Sequence, residues 1–163
     1  AIINELTNKK ICAVASGRSE FGPRSLGNRS IFADPRGVDV KDRVNTIKHR
    51  EAFRPFAPMI LKEHLADYFE LPKNFTESPF MQYTLKCRQP HLFPAIVHYD
   101  DTSRVQTVPD NDSGIRQLLV AWYRKTGCPM LLNTSLNIRG EPMVDTRADA
   151  DRFEKEYEVK VIS

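Results

Sequence analysis

The sequence predicts an α+β domain with a substantial, partly antiparallel sheet. Three observations carry that prediction. Strand-like and helix-like stretches are mixed in order, with several strands running consecutively instead of alternating with helices. Phe80–Cys87 alternates Met81, Tyr83 and Leu85 against Gln82, Thr84 and Lys86, the period of a half-buried strand. Ile115, Leu118, Leu119 and Trp122 recur at helical spacing between an Asp-Ser-Gly start and a terminating Gly127.

In chain order, Lys10–Ala15 reads as a buried strand ending at Ser16-Gly17. Residues 17–30 hold three glycines, one proline and three arginines with no period, which makes them a loop. A loop of that length in a compact domain usually serves function. Ile31–Ala33 is a short strand, Asp34–Gly37 a turn, and Val40, Val44 and Ile47 mark a helix that ends near Ile47. Pro55 and Pro58 around Phe56–Leu61 suggest an edge strand, because proline removes a ladder donor. Lys62–Phe69 is a short helix and 71–79 a loop. Ala95–Tyr99 and Arg104–Val108 read as two strands of a hairpin turning at Asp100–Ser103. Trp122, on the inner face of the clearest helix, reads as core and not as a base-stacking platform. Pro129–Leu132 is a buried strand, Ile138–Pro142 a turn, Thr146 with Asp149 a capping box opening the last helix, and Val159–Ile162 a closing strand.

With 163 residues the chain fits one domain, 1–163, able to bury an ordinary core. Its 40% hydrophobic and 28% charged content exclude a disordered chain. No apolar run approaches the roughly 20 residues of a membrane helix, and no signal pattern is visible. Cys12, Cys87 and Cys128 form no C-x-x-C spacing, so a reducing, cytoplasmic setting is expected. His49, His64, His91 and His98 show no metal spacing, and no metal ligand is expected among the side chains. The chain opens on Ala1 and not on Met, which fits a processed product or a piece of a longer protein.

Charge is concentrated. Residues 17–54 carry nine Lys/Arg against five Asp/Glu, a local +4, so the net +3 leaves −1 for everything else. A local concentration suits a compact polyanion better than an extended nucleic acid. Within this segment Lys48 and Arg50 stand two apart, as Ser135 and Asn137 do farther on. In extended backbone each pair shares one face, presenting two cations and two hydrogen-bonding groups to one anionic ligand. Arg18, Arg24 and Arg29 of the Gly loop are further candidate anion contacts.

Four ordered motifs then carry a resemblance. Gly17-Arg-Ser-Glu-Phe-Gly-Pro-Arg-Ser-Leu-Gly-Asn-Arg-Ser30, Arg43 to Pro58, Thr102 to Val108 and Pro129 to Asn137 closely resemble the C-terminal domain of the O-carbamoyltransferases that modify nodulation factors, cephamycin and tobramycin. That domain is similar to the YrdC fold, marked by a Lys-x-Arg and a Ser-x-Asn pair, here Lys48-His-Arg50 and Ser135-Leu-Asn137. The resemblance implies a twisted mixed sheet with helices packed on it. It also implies a half-reaction in which carbamoyl phosphate and ATP give carbamoyl adenylate and pyrophosphate, with Mg²⁺ as ATP's companion. A Kae1-like domain, in cis upstream or in trans, would then move the carbamoyl group to a hydroxyl. Lys48, Arg50, Ser135 and Asn137 are the expected catalytic set. Arg18, Arg24, Arg29, Arg54, Arg104, Asn133 and Thr134 are the expected nucleotide and phosphate contacts. Three positions depart from the family: Ser25 for Ala, Asp101 for Gly, and Leu136 for Phe. The alternatives are a non-catalytic module binding RNA or nucleotide, since related folds bind RNA, and an inactive remnant.

Overall fold

The computed structural model describes residues 1–20 and 22–163. Eight strands form one mixed sheet: β1 (Ile11–Ala15), β2 (Arg29–Ala33), β3 (Ala57–Leu61), β4 (Phe69–Glu70), β5 (Tyr83–Cys87), β6 (Thr102–Val108), β7 (Met130–Ser135) and β8 (Val161–Ile162). Across the sheet they lie in the order β4-β5-β6-β3-β7-β2-β1-β8, parallel only at β3/β6 and β1/β8. Both edge strands are two residues long, which leaves little unpaired edge. The helices are α1 (Ile2–Lys9), α2 (Val38–Ile47), α3 (Leu65–Tyr68), α4 (Gly114–Thr126) and α5 (Arg147–Tyr157).

Alternation along the strands splits the core into two layers. Cys12, Val14, Phe32, Met59, Leu61 and Leu131 face α1 and α4, where Trp122 is buried and its Nε1 donates to the Met130 carbonyl at 3.1 Å. Ile11, Ala13, Ile31, Ala33, Ile60, Met130 and Leu132 face the opposite layer, packed by Val40 and Val44 of α2 and Phe153 of α5. The expected ends of α4 and α5 are observed. Ser113 accepts from Arg116 N, Gly127 takes a left-handed φ of 70°, and Thr146 and Asp149 close a capping box.

Four local expectations are corrected. β3 is not an edge strand; it lies between β6 and β7. Leu61 N donates to Pro129 O on the β7 side, so by alternation the position lacking a donor at Pro58 faces β6. The ladder with β6 begins only at Met59, so the proline costs no bond. Ala95–Tyr99 is not a strand: Ala95 and Ile96 are both fully buried, and Ile96 N bonds back to Phe93 O at 3.1 Å as a turn. The antiparallel partner of β6 is β5, which starts at Tyr83 and not at Phe80. β7 extends past Leu132 through Ser135, because β2 pairs with it as far as Ser30↔Ser135, while β3 reaches Asn133. α1 was not anticipated; its one buried residue is Leu6, and it has no capping side chain to announce it.

These pairings set the place of the site. The register Ala57↔Asn133 and Ser30↔Ser135 brings the starts of β2 and β3 to the end of β7. β6 runs parallel to β3, so Arg104 near its start lies at the same end of the sheet.

Candidate active site

At that end of the sheet is a cavity of about 570 Å³, within the usual range for a small-molecule site. Arg24 and Ser25 of the Gly loop, Arg50, Arg54 and Phe56 ahead of β3, Arg104 of β6 and Asn133, Thr134 and Ser135 of β7 contribute to its walls. Four guanidiniums thus converge on one space, and no carboxylate is among the described residues that line it.

Their charges act on one another. Burial, followed by Arg54, pushes Arg50 down to about 10. Burial, then Arg24 and Arg54, also lowers Arg104, whose Nε is buried without a hydrogen-bond partner among the described residues. One carboxylate stands beside the cluster: Glu51 Oε2 lies 3.6 Å from Arg54 Nη1 outside the cavity walls, and the remaining like-charge repulsion favours the binding of an anion that relieves it. Arg50 is fixed by Asn45, whose Oδ1 accepts from Nε at 2.6 Å, and lies 4.1 Å from the centroid of Phe56. Asn133 donates to Ser25 O at 3.1 Å and Gln106 Oε1 at 2.7 Å, leaving its buried Oδ1 free among the described residues.

Lys48, Ser135 and Asn137 do meet, though not by the expected route. Lys48–Arg50 is not extended: Lys48 caps α2 in the right-handed region, and His49 takes a left-handed φ of 50°. Arg50 N then bonds back to Asn45 O at 3.1 Å, so the segment is a helix-ending turn. This turn sends Lys48 inward and Arg50 toward the cavity. Lys48 Nζ donates to Ser135 O at 2.6 Å, Ser135 Oγ at 3.2 Å, Asn137 O at 2.8 Å and Asn137 Oδ1 at 3.0 Å. It is only 5% exposed, and burial, then Arg50, lowers it to about 7. Lys48 and Asn137 therefore lie behind the wall, and of the three only Ser135 lines the cavity. Ser135 Oγ in turn donates to Asn137 Oδ1 at 2.7 Å, which fixes its direction.

Two loop arginines are elsewhere. Arg29 is buried and donates to the carbonyls of Ser16, Gly17, Asn28 and Asp145, so its guanidinium clamps the loop instead of awaiting an anion. Arg18 is exposed and outside the cavity walls. The loop's organiser is Glu20, which sequence reading passed over: its carboxylate accepts from the backbone N–H groups of Leu26, Asn28 and Arg29 and from Ser25 Oγ. Its signal is a lone acid among backbone-rich glycine turns. Asn45 was missed too; it is a polar residue adjoining the buried Val44 on α2. Cys12 and Cys128 are buried, which pushes their thiols up to about 12 and about 11, so neither serves as a nucleophile near neutral pH.

The described residues include no cluster of His, Cys, Asp and Glu able to hold a metal ion. The residues at the cavity do not fit a protein-held Mg²⁺, which usually takes at least one carboxylate. No helix is long and apolar enough to cross a membrane.

A family model, the carbamoyltransferase C-terminus, matches residues 3–163. The chain belongs to that family. Nodulation protein NolNO of Sinorhizobium fredii is 50% identical over 138 residues, which cover 82% of this chain and 20% of that protein. The 3′-hydroxymethylcephem-O-carbamoyltransferase of Amycolatopsis lactamdurans is 39% identical over 145 residues, 88% of this chain and 27% of that one. The chain thus spans only about a fifth to a quarter of the length of these relatives. Full-length HypF, solved in its phosphate- and nucleotide-bound form, superposes with a TM-score of 0.66 over 94% of this chain and 19% of its own, at 19% identity. At that identity the likeness shows the fold, the mixed α+β sheet expected of a YrdC-like domain.

The three departures from the carbamoyltransferase pattern have local explanations. Asp101 occupies a left-handed φ of 63°, where glycine carries no steric cost. Ser25 Oγ, in a buried position, lies 2.6 Å from Ser30 Oγ and 2.5 Å from the Arg29 carbonyl oxygen, polar neighbours that suit a hydroxyl. Leu136 is fully buried at the end of β7, a site for any large apolar side chain.

Proposed function

We propose that this carbamoyltransferase domain binds ATP in the cavity at the end of β7 and activates carbamate as carbamoyl adenylate. The observation that carries this reading is the convergence of Arg24, Arg50, Arg54 and Arg104 on one cavity without a lining carboxylate among the described residues. Written so that atoms balance, water first cleaves carbamoyl phosphate to carbamate and phosphate. A carbamate oxygen then attacks the α-phosphorus of ATP, and the bond to pyrophosphate breaks with its electron pair leaving on pyrophosphate.

Such a step asks the protein mainly for positioning and charge stabilisation. The forked guanidiniums of Arg54 and Arg104 suit phosphate oxygens. Ser135 and Thr134, held by their pairing with β2, supply hydrogen-bonding groups at the end of the cavity. Lys48 and Asn137 act from behind by holding Ser135, so their place in the expected catalytic set becomes one of positioning. Mg²⁺, when present, would be carried on the triphosphate. Transfer to a hydroxyl acceptor is assigned to a further, Kae1-like part outside these residues.

The test is release of pyrophosphate from ATP. Release that depends on carbamoyl phosphate is the expected outcome, lost or sharply reduced in Arg104→Ala. Its absence under conditions where a full-length relative is active overturns the reading.

A further inference from the structure

The cavity has a second chemical character besides charge. Phe53 and Tyr99 both line it, yet as residues they are 76% and 101% exposed. Single exposed aromatics mean little by themselves, and Phe80 is 65% exposed without lining this cavity. What distinguishes these two is that both are among the residues lining the cavity on which the guanidiniums converge.

Their backbones are also pinned. Asn45 Nδ2 donates to Ala52 O at 3.1 Å and Arg54 O at 3.0 Å, gripping the chain on both sides of Phe53. Asn45 is itself 1% exposed, so this grip is anchored in the core. Tyr99 sits on a turn closed by His98 N donating to Thr102 O at 2.8 Å and Asp101 N to His98 O at 3.1 Å. Neither ring is paired with another aromatic ring among the described residues. Two solvated rings are therefore held on fixed turns at one polycationic cavity, with no packing role of their own.

A ligand made only of phosphate gives such rings nothing to do. One that joins a polyanion to a planar π-system uses both features, because every nucleobase has a face that stacks on an aromatic ring. We propose that Phe53 and Tyr99 form the base-binding end of the cavity, taking the purine of the nucleoside triphosphate whose phosphates meet the arginines. This rests on the nucleotide reading above and adds to it the residues that take the base.

The experiment is calorimetric titration of the full 163-residue chain with ATP and, separately, with inorganic tripolyphosphate. Wild type, Phe53→Ala, Tyr99→Ala and the conservative pair Phe53→Trp and Tyr99→Phe are compared, each first checked for an unchanged melting transition. The alanine variants are expected to lose roughly fivefold to a hundredfold in ATP affinity. Their tripolyphosphate affinity should stay within about twofold, and the conservative variants should keep ATP binding. If the alanine variants bind ATP as wild type does, or lose both ligands equally, the base assignment is overturned and the nucleotide reading stands. If wild type binds neither, the nucleotide reading fails and takes the base assignment with it.

Discussion

Among single residues, Lys48 shows most clearly how surroundings set a role. Its ammonium satisfies four oxygens of Ser135 and Asn137, so Lys48→Met would leave buried acceptors without a donor. We expect that variant to lose roughly 3 kcal/mol of stability in denaturant melts, the scale of a few unmet buried acceptors. The sign with pH follows from burial. Folding lowers Lys48 from 10.5 to about 7, so between those values the unfolded chain binds a proton that the folded chain has released. Stability tied to this group is therefore lowest below about pH 7 and recovers as pH rises toward the unfolded value. The melting-temperature difference between wild type and Lys48→Met should shift in favour of wild type from pH 7 to pH 10. A flat difference would mean that Lys48 keeps its proton when folded. The cavity arginines make the opposite bargain between stability and binding. Arg54 lies among like charges that depress Arg50 and Arg104. Arg54→Ala removes both that repulsion and an exposed ion pair with Glu51 at 3.6 Å, so it should change the melting temperature of the ligand-free chain little while weakening ATP roughly tenfold or more, the scale of one charge-assisted bond. Thermal melts with and without ATP read both effects.

The elements around the site differ in what holds them. β7 is paired on both sides as far as Asn133, and Thr134 and Ser135 stay paired with β2, so all three are held in the sheet ladder. The Gly loop has no such ladder; it is held by Glu20, by Arg29 and by packing at Gly27. Gly27 has a φ of 138°, and a Cβ there would stand 2.2 Å from Ile115 Cδ1 of α4. Gly27→Ala thus meets both backbone strain and a side chain that must move. We expect a loss of at least roughly 1–2 kcal/mol in stability. ATP affinity should fall as well, since Arg24 and Ser25 ride on this loop. Unchanged melting and unchanged affinity would show that the loop's place does not depend on α4.

On the scale of the whole molecule, three of the nine cations of residues 17–54 are brought by the fold to one cavity. Arg24, Arg50 and Arg54 come from that segment, and β6 adds Arg104 from far along the chain. A site of this kind should respond to salt in a graded way. The rise in melting temperature caused by ATP should shrink toward about 1 M salt, where the screening length is about 3 Å. It should not vanish, because Arg50 and Arg104 are half-buried and less screened. Complete loss would place the binding on exposed charges such as Arg18 and not in the cavity.

Much of the architecture was legible in local pattern. The helix from Gly114 to Thr126, the capping box of α5 and the buried runs of β1, β2 and β7 are each written within a dozen residues, since period and cap chemistry are local properties. The four motifs likewise marked the family and the segments that build the site. What local pattern misjudged depended on partners distant in sequence. Pro58 looked like an edge residue because nothing nearby reveals where the β6 ladder begins. Lys48 and Arg50 looked like a pair of exposed cations because spacing does not record the left-handed turn at His49. Sequence by itself determined which side chains were available: the arginines, Ser135, and a lysine two residues from Arg50. Tertiary structure decided which of them meet open space, leaving Arg50 at the cavity, Lys48 beneath it and Arg29 inside the loop. The physical reason is that burial and hydrogen-bond satisfaction are set by the whole packed sheet, and a charge that finds its oxygens within the chain is no longer free for a ligand.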